Sequence, residues 1–226
     1  EVSILVLHYT GMKTARAALG RMCDPDAKVS AHWCIDEEGT IYKLVSEKMR
    51  AWHAGVSCWR EQTLINDISL GIELVNPGHS FGYRPFPSVQ INALIKLIEE
   101  ILTRYDIPKR NIVGHSDIAP NRKNDPGELF EWKRLAAKGI GLWPNKILVA
   151  QPNLKTLVKG TSGSKVLELQ KKFLRFGYAL KVDGLYDKET EFIVKAFQRH
   201  FRQSSVTGTA DNLTQVTLEN LLEQVS

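Results

Sequence analysis

The sequence predicts an α/β domain with a mixed central β-sheet flanked by helices, followed by a small all-α domain of three helices. Within residues 1–144, β-rich apolar segments alternate with helical patterns, which is typical of an α/β fold. Across residues 145–160 this periodicity lapses, and Pro144 and Pro152 interrupt the chain nearby. From residue 161 to 226 the pattern is helical throughout. We therefore expect a first domain at 1–144, a linker at 145–160 and a second domain at 161–226.

The strands of the first domain follow from β-branched and apolar runs at residues 2–7, 30–35, 40–45, 68–75 and 111–113. The second and third runs flank the acidic turn at residues 36–39, which indicates a hairpin. Asn76, Pro77 and Gly78 end the fourth strand.

The helices of this domain are expected at residues 14–23, 88–105 and 128–137. The longest has apolar residues at helical spacing, and Ser88 is placed to cap it. Gly139 is expected to end the last one.

The second domain contains three amphipathic segments, at residues 164–176, 188–201 and 213–222. Two similar turns containing Gly184 and Gly208 separate them, with Thr190 and Thr217 following. This weak internal repeat indicates a compact three-helix unit.

Composition excludes several classes of protein. The chain has 226 residues with a net charge of +5, and no apolar run approaches the roughly 18–20 residues of a membrane helix. Positive charges exceed negative ones by two in residues 1–150 and by three in residues 151–226. No Lys/Arg cluster is interleaved with stacking aromatics, so we expect no nucleic-acid partner. The three cysteines fit neither a disulfide framework nor a metal pair, and we expect mostly buried free thiols.

Candidate chemistry lies at the strand ends. His8 ends the first strand, His115 follows the short strand at 111–113, and Asp125 comes ten residues later. Two imidazoles and a carboxylate are three protein ligands for a catalytic zinc, with the fourth position left to water. Glu73 is a lone acid within an apolar strand, and such a carboxylate suits proton transfer beside a metal.

Alternatives stay open on these residues alone. A strand-end histidine also fits a hydrogen-bonded core position, and the spacing of His115 and Asp125 is not a general zinc pattern. Asp125, which precedes a Pro-Gly pair, also fits a turn residue.

Several motifs nevertheless resemble one family. They are residues 7–10 (LHYT), 29–33 (VSAHW), 50–55 (RAWHAG), 70–74 (LGIEL), 114–120 (GHSDIAP) and 122–127 (RKNDPG). Together, over residues 1–144, they resemble the zinc-dependent N-acetylmuramoyl-L-alanine amidases of type 2, which share a fold with peptidoglycan recognition proteins. Residues 161–222 resemble the three-helix peptidoglycan-binding domain through 166–170 (VLELQ), 182–184 (VDG), Tyr186, Thr190 and 197–198 (FQ).

The resemblance implies a role for each matching residue. It implies that His8, His115 and Asp125 bind Zn²⁺, that Glu73 is the catalytic base, and that Lys123 polarises the amide carbonyl. It also implies that Trp52, His53 and Asn66 line the substrate groove. We expect His32 to orient neighbours, Cys34 to lie in the core, and His79 and His200 to lie on the surface.

The expected function is zinc-dependent hydrolysis of the amide bond between N-acetylmuramic acid, including its 1,6-anhydro form, and the L-alanine of the stem peptide. The alternative is a peptidoglycan recognition protein that binds without catalysis. The expected partner is peptidoglycan or a muropeptide, and we expect a monomer. The expected location is the bacterial cell envelope, on the periplasmic side, with an outer-membrane anchor in a segment before Glu1 as a further option.

Overall fold

The structure is a computed structural model and describes residues 1–225. The strands in this range are β1 (Ile4–Tyr9), β2 (Trp33–Ile35), β3 (Ile41–Lys43), β4 (Ser69–Leu74) and β5 (Ile112–Gly114). They form one sheet in the order β3-β2-β4-β1-β5. β1 is parallel to β4 and β5, β2 is parallel to β4, and β2 is antiparallel to β3. The predicted mixed sheet and its hairpin are confirmed.

The hairpin is closed by a buried carboxylate. Asp36 Oδ1 accepts hydrogen bonds from the backbone N–H of Glu38 and Thr40, at 3.1 and 2.8 Å. The Tyr42 hydroxyl donates to Asp36 Oδ2 at 2.8 Å. The side chain of Asp36 therefore stabilises the acidic turn to which it belongs.

The helices of this part are α1 (Ala15–Cys23), α2 (Ile65–Ile68), α3 (Gly78–Phe81), α4 (Ser88–Arg104), α5 (His115–Ile118) and α6 (Trp132–Ala136). The apolar stripe of α4 is buried with the sheet residues of one core cluster. Ser88 is the first residue of α4, and Pro87 stands at the cap without a side-chain bond. The predicted helix at 128–137 is shorter because Phe130 N–H bonds to Gly127 O and Leu129 N–H to Tyr83 Oη.

The helical module consists of α7 (Ser164–Phe176), α8 (Lys188–Phe201) and α9 (Asn212–Gln224). A buried glutamine closes each Gly-containing turn: Gln170 Oε1 accepts from Gly184 N–H at 2.8 Å, and Gln198 Oε1 accepts from Gly208 N–H at 2.9 Å. Each amide group also donates to a buried threonine hydroxyl, that of Thr190 or Thr214. The internal repeat is confirmed, with Thr214 rather than Thr217 as the equivalent of Thr190.

The helical module is packed onto the α/β part. Within the described chain, residues 145–160 hold no helix or strand beyond an isolated bridge between Leu157 and Ala210. One apolar cluster includes residues of β1 together with residues of all three module helices. The Trp59 ring lies edge-on to Phe176 and Tyr178, with ring centroids 6.1 and 5.1 Å apart. The two parts therefore share a core.

The cysteines only partly match the expectation. All three are free thiols; Cys34 is buried, Cys58 is partly buried and Cys23 is exposed. Cys23 is exposed because it is the last residue of α1, whose single buried residue is Ala18. Within residues 1–225, the helices are all too short or too polar to cross a bilayer.

Candidate metal centre

The sheet register brings three chemical groups to one edge. His8 on β1 pairs with Glu73 on β4, and Leu7 pairs with Gly114 on β5, so His115 follows directly beside His8. Residues in register on neighbouring strands project to the same face. His8, Glu73 and His115 therefore meet where three parallel strands end.

The loop after α5 adds a carboxylate to the two imidazoles. The three atoms His8 Nδ1, His115 Nδ1 and Asp125 Oδ2 form a triangle with all three sides 3.0 Å long. All three residues are buried. The loop brings Asp125 back beside α5, because the backbone N–H of Ser116 donates to Asp125 O at 2.9 Å. Position 114 must be glycine, since a Cβ there would lie 2.7 Å from Pro126 Cδ.

The outer nitrogen of each imidazole has its own partner. His115 Nε2–H donates to Ala54 O at 3.0 Å, and His8 Nε2–H donates to His53 Nδ1 at 3.1 Å. This tautomer leaves both Nδ1 lone pairs turned toward Asp125. Histidines that bind metals typically donate the other ring N–H in this way.

Burial sets the protonation of these groups. Burial lowers the pKa of His8 to about 4, because its effect is larger than the opposing effect of Asp125, which raises that pKa. The imidazole is therefore neutral at pH 7. Burial by itself would raise the pKa of Asp125, but the His115 and His8 imidazoles beside the carboxylate outweigh it and hold that pKa well below its usual range. A neutral imidazole and an ionised carboxylate are the forms that bind metal.

The donor set fits a zinc ion. Bond lengths of about 2.0–2.2 Å place tetrahedral nitrogen and oxygen donors roughly 3.3–3.6 Å apart, close to the 3.0 Å separations in this triangle. Within residues 1–225, this is the one group of three such side chains whose donor atoms converge. Three protein donors leave a position open for water or substrate.

Glu73 lies beside this centre without a hydrogen-bond partner of its own. Its Oε2 is buried and makes no hydrogen bond within the described chain. Burial raises the pKa of Glu73 to about 8; the Asp125 charge adds to this and the Lys123 ammonium opposes it. The residue borders a cavity of about 60 Å³ with Thr10 and Met22. A carboxyl group with a pKa near 8 is suited to exchange protons at neutral pH.

The predicted groove residues lie in different surroundings. Trp52 is 47% exposed and borders a cavity of about 150 Å³ with Ser30 and Lys28. Asn66 borders a separate cleft of about 700 Å³, and its Oδ1 accepts from the backbone N–H of His53 at 3.1 Å.

His53 is not placed to line a groove. It is 5% exposed and lies behind His8, with Nε2–H directed at Ser69 Oγ, 3.2 Å away. Ser69 in turn donates to Ile65 O at 2.6 Å. Sequence reasoning missed this chain of hydrogen bonds, since a serine at a strand start carries no signal of a metal site.

The other histidines have distinct environments. His32 is buried and bridges Met49 O and Gly71 N–H, which agrees with an orienting role. His79 is on the surface, as expected. The expectation for His200 is wrong: it is 3% exposed, stacks on Trp132 at 3.7 Å between centroids and bonds to Asp117.

Two family models match the chain. Residues 1–128 match the model described as N-acetylmuramoyl-L-alanine amidase, and residues 162–218 match a putative peptidoglycan binding domain. Both His8 and Asp125 lie within the first match.

Known proteins resemble the chain over most of its length. The N-acetylmuramoyl-L-alanine amidase AmiD of Escherichia coli is 40% identical, covering 99% of this chain and 83% of that protein. The structure of E. coli AmiD with anhydro-N-acetylmuramic acid-L-Ala-D-γ-Glu-L-Lys superposes with a TM-score of 0.86 at 38% identity, covering 99% of this chain and 89% of that one. AmpDh3 of Pseudomonas aeruginosa with an anhydromuramic pentapeptide gives 0.84 at 34% identity, covering 99% and 92%.

Proposed function

We propose that this chain, which belongs to the N-acetylmuramoyl-L-alanine amidase family, works with a zinc ion held by His8, His115 and Asp125. The reaction is hydrolysis of the amide bond between N-acetylmuramic acid, including its anhydro form, and L-alanine. The observation that carries the zinc assignment is the triangle of three buried donor atoms, 3.0 Å apart, at one edge of the sheet. A zinc ion there would lower the pKa of a water to about 7 and polarise the amide carbonyl.

Glu73 is proposed as the group that moves the proton. Its Oε2 has no hydrogen-bond partner and lies at the same sheet edge as His8, and burial raises its pKa above that of an ordinary glutamate, which suits a group that takes up a proton and returns it. Glu73 takes the proton of the attacking water and delivers it to the departing L-alanine nitrogen. Without this return the amine would leave as an unstable anion.

Lys123 is proposed to stabilise the carbonyl oxygen as it gains negative charge. The residue is partly buried, and its charge lowers the pKa of both His8 and Glu73, which supports a position of the ammonium near the centre. A fixed cation at a developing oxyanion typically contributes two to three orders of magnitude in rate, of order 3–4 kcal/mol.

Two of the three predicted groove residues are retained as substrate contacts. We propose that Trp52 contacts the sugar or the peptide of the substrate, because about half of the residue is exposed. Asn66 borders the larger cleft and also anchors the segment that holds His53. His53 supports His8 instead, because it is buried behind that ligand.

The helical module is proposed to hold the enzyme on peptidoglycan polymer and so raise the local substrate concentration. We propose the division into 1–144, 145–160 and 161–226, a monomeric state, and a periplasmic location in the cell envelope.

One assay tests the catalytic proposal. A soluble anhydro-muropeptide is incubated with enzyme that has been stripped of metal and then reloaded with zinc, and released stem peptide is measured. We expect activity only after reloading, and a loss of at least about 100-fold in Glu73→Gln. Glu223→Gln, on an exposed surface, is the matched control and should retain full activity. Undiminished activity in Glu73→Gln would remove Glu73 from the mechanism.

A further inference from the structure

A groove rich in positive charge lies where the helical module meets the α/β part. Its volume is about 570 Å³, and its lining includes Arg60, Arg110, Lys171, Arg175 and one acid, Glu61. We call it the basic groove. Two of its cations come from the α/β part and two from α7, so neither part forms it alone.

The groove is held in shape by contacts between the two parts. The backbone N–H of Arg60 donates to Gly177 O at 2.8 Å, and its guanidinium donates to Asn111 Oδ1 at 3.3 Å. The approach is close, because a Cβ at Gly177 would lie 2.9 Å from the Trp59 ring. The Arg60 side of the groove is therefore fixed against the module.

Three of the groove cations are not neutralised by an ion pair. Among residues 1–225, no carboxylate forms an ion pair with Arg60, Arg110 or Lys171. Burial lowers the pKa of Arg110, and the charge of Arg60 lowers it further, as for two cations placed near each other. An anion in the groove would relieve this repulsion.

We propose that the basic groove binds the carboxylates of peptidoglycan stem peptides next to the one being cleaved. The groove adjoins the 700 Å³ cleft, with which it shares Cys58 and Ala179, so an extended polymer can follow both. Arginine guanidinium groups suit carboxylates through paired hydrogen bonds. The exposed apolar side chain in the lining is Leu174, which offers no ring for stacking bases. This proposal rests on the proposed function.

The test is binding to purified peptidoglycan sacculi by co-sedimentation, in a Glu73→Gln background that prevents digestion. The double variant Arg60→Ser/Lys171→Ser should bind about tenfold more weakly than its parent, and added salt should reduce the difference. Lys155→Ser/Lys165→Ser, which removes the same charge from exposed positions outside both the groove and the adjoining cleft, is the matched control and should bind as the parent does. On sacculi whose carboxyl groups are converted to methylamides, the parent and the groove variant should bind equally.

Two results would overturn this assignment. Equal loss in the control and groove variants would show a general charge effect. Displacement by millimolar inorganic phosphate, but not by the tripeptide L-Ala-γ-D-Glu-L-Lys, would identify a phosphate site. Failure of the proposed function is separate, because it would appear as no cleavage of soluble muropeptide by the wild type.

An independent observation concerns a buried carboxylate next to the metal centre. Asp117, 1% exposed, lies in α5, whose first residue is His115. It accepts hydrogen bonds from Gly114 N–H at 2.8 Å, from the Tyr178 hydroxyl at 2.6 Å and from His200 Nδ1–H at 2.8 Å. The last two donors belong to the helical module.

The geometry also assigns Tyr178 and His200 as positioning residues for His115. A helix of four residues has little stability of its own, so the orientation of α5 depends on what holds it. Asp117 ties α5 to the module on one side while His115 faces Asp125 on the other. The module thereby contributes to the zinc site as well as to polymer binding.

The matched test is Tyr178→Phe against Tyr186→Phe. Both remove one buried hydroxyl from the module, but Tyr186 donates to Gly208 O, within the module. We expect Tyr178→Phe to weaken zinc binding by roughly three- to tenfold, measured by competition with a chromophoric chelator, and Tyr186→Phe to leave it unchanged. Equal zinc affinity in the two variants, with both folded by circular dichroism, would overturn this assignment.

Discussion

Gly71, in β4, is packed tightly against the histidines at the metal centre. A Cβ added there would lie 2.4 Å from His53 Cγ, 2.6 Å from Cδ2 and 2.7 Å from Nδ1. Ordinary van der Waals contacts of a Cβ begin near 3.4 Å, so the imidazole would have to move by about 1 Å to restore one. His53 cannot move freely, because it bonds to His8 at 3.1 Å and to Ser69 at 3.2 Å.

Gly71→Ala should therefore lower both stability and zinc affinity. Overpacking a close-packed site costs about 1–3 kcal/mol, and losing one buried hydrogen bond adds about 1 kcal/mol. We expect the free energy of unfolding in urea to fall by roughly 2–4 kcal/mol, and zinc affinity to fall about tenfold as His8 loses its support.

Gly20→Ala is the matched control. Gly20 lies on the exposed face of α1, and a methyl group added there would have no neighbouring atom within 4 Å. The same change should therefore be neutral or stabilise by up to about 1 kcal/mol. A Gly71→Ala protein within about 0.5 kcal/mol of wild type and with unchanged zinc affinity would refute the packing argument.

Buried polar groups and the metal centre give three further expectations. In zinc-free protein the pKa of Glu73 is about 8 in the folded state, against 4.5 for a glutamate in water. The contribution of Glu73 to stability is therefore present below pH 4.5 and is lost as pH rises through 8. The free energy of unfolding of Glu73→Gln, minus that of the wild type, should grow by a few kcal/mol, at most about 5, between pH 5 and 9. Gln198→Leu leaves the N–H groups of Thr207 and Gly208 without their acceptor and should cost about 2–4 kcal/mol in urea unfolding, whereas Gln203→Leu, at a half-buried position of the module, should cost less. Zinc should raise the melting temperature of the wild type and leave that of Asp125→Ala unchanged, as measured by calorimetry with and without chelator.

The main elements could be predicted because local patterns specify them. The limits of α7 and α8 follow from their apolar stripes and agree with the structure residue for residue. The strand-end positions of His8 and His115 are sufficient to place them at one sheet edge, since β1 and β5 are parallel neighbours.

Contacts between distant segments could not be predicted. His200 has the sequence environment of a surface residue at the end of a helix, and its burial depends on Trp132 and Asp117, which reach it only when the module packs. The family resemblance of residues 50–55 predicts that His53 lines the groove. The His53 ring is instead buried, because Gly71 has no side chain and leaves room for it. Neither fact is visible in local sequence.

The most direct test of the central claim is the zinc content and activity of the same protein sample. Metal analysis of the full chain should give about one zinc per molecule, with stem peptide released from anhydro-muropeptide. Stripping the metal should abolish release, zinc should restore it, and His115→Ala should bind no zinc while His79→Ala binds one. Full activity of metal-free enzyme, or of His115→Ala, would contradict the account.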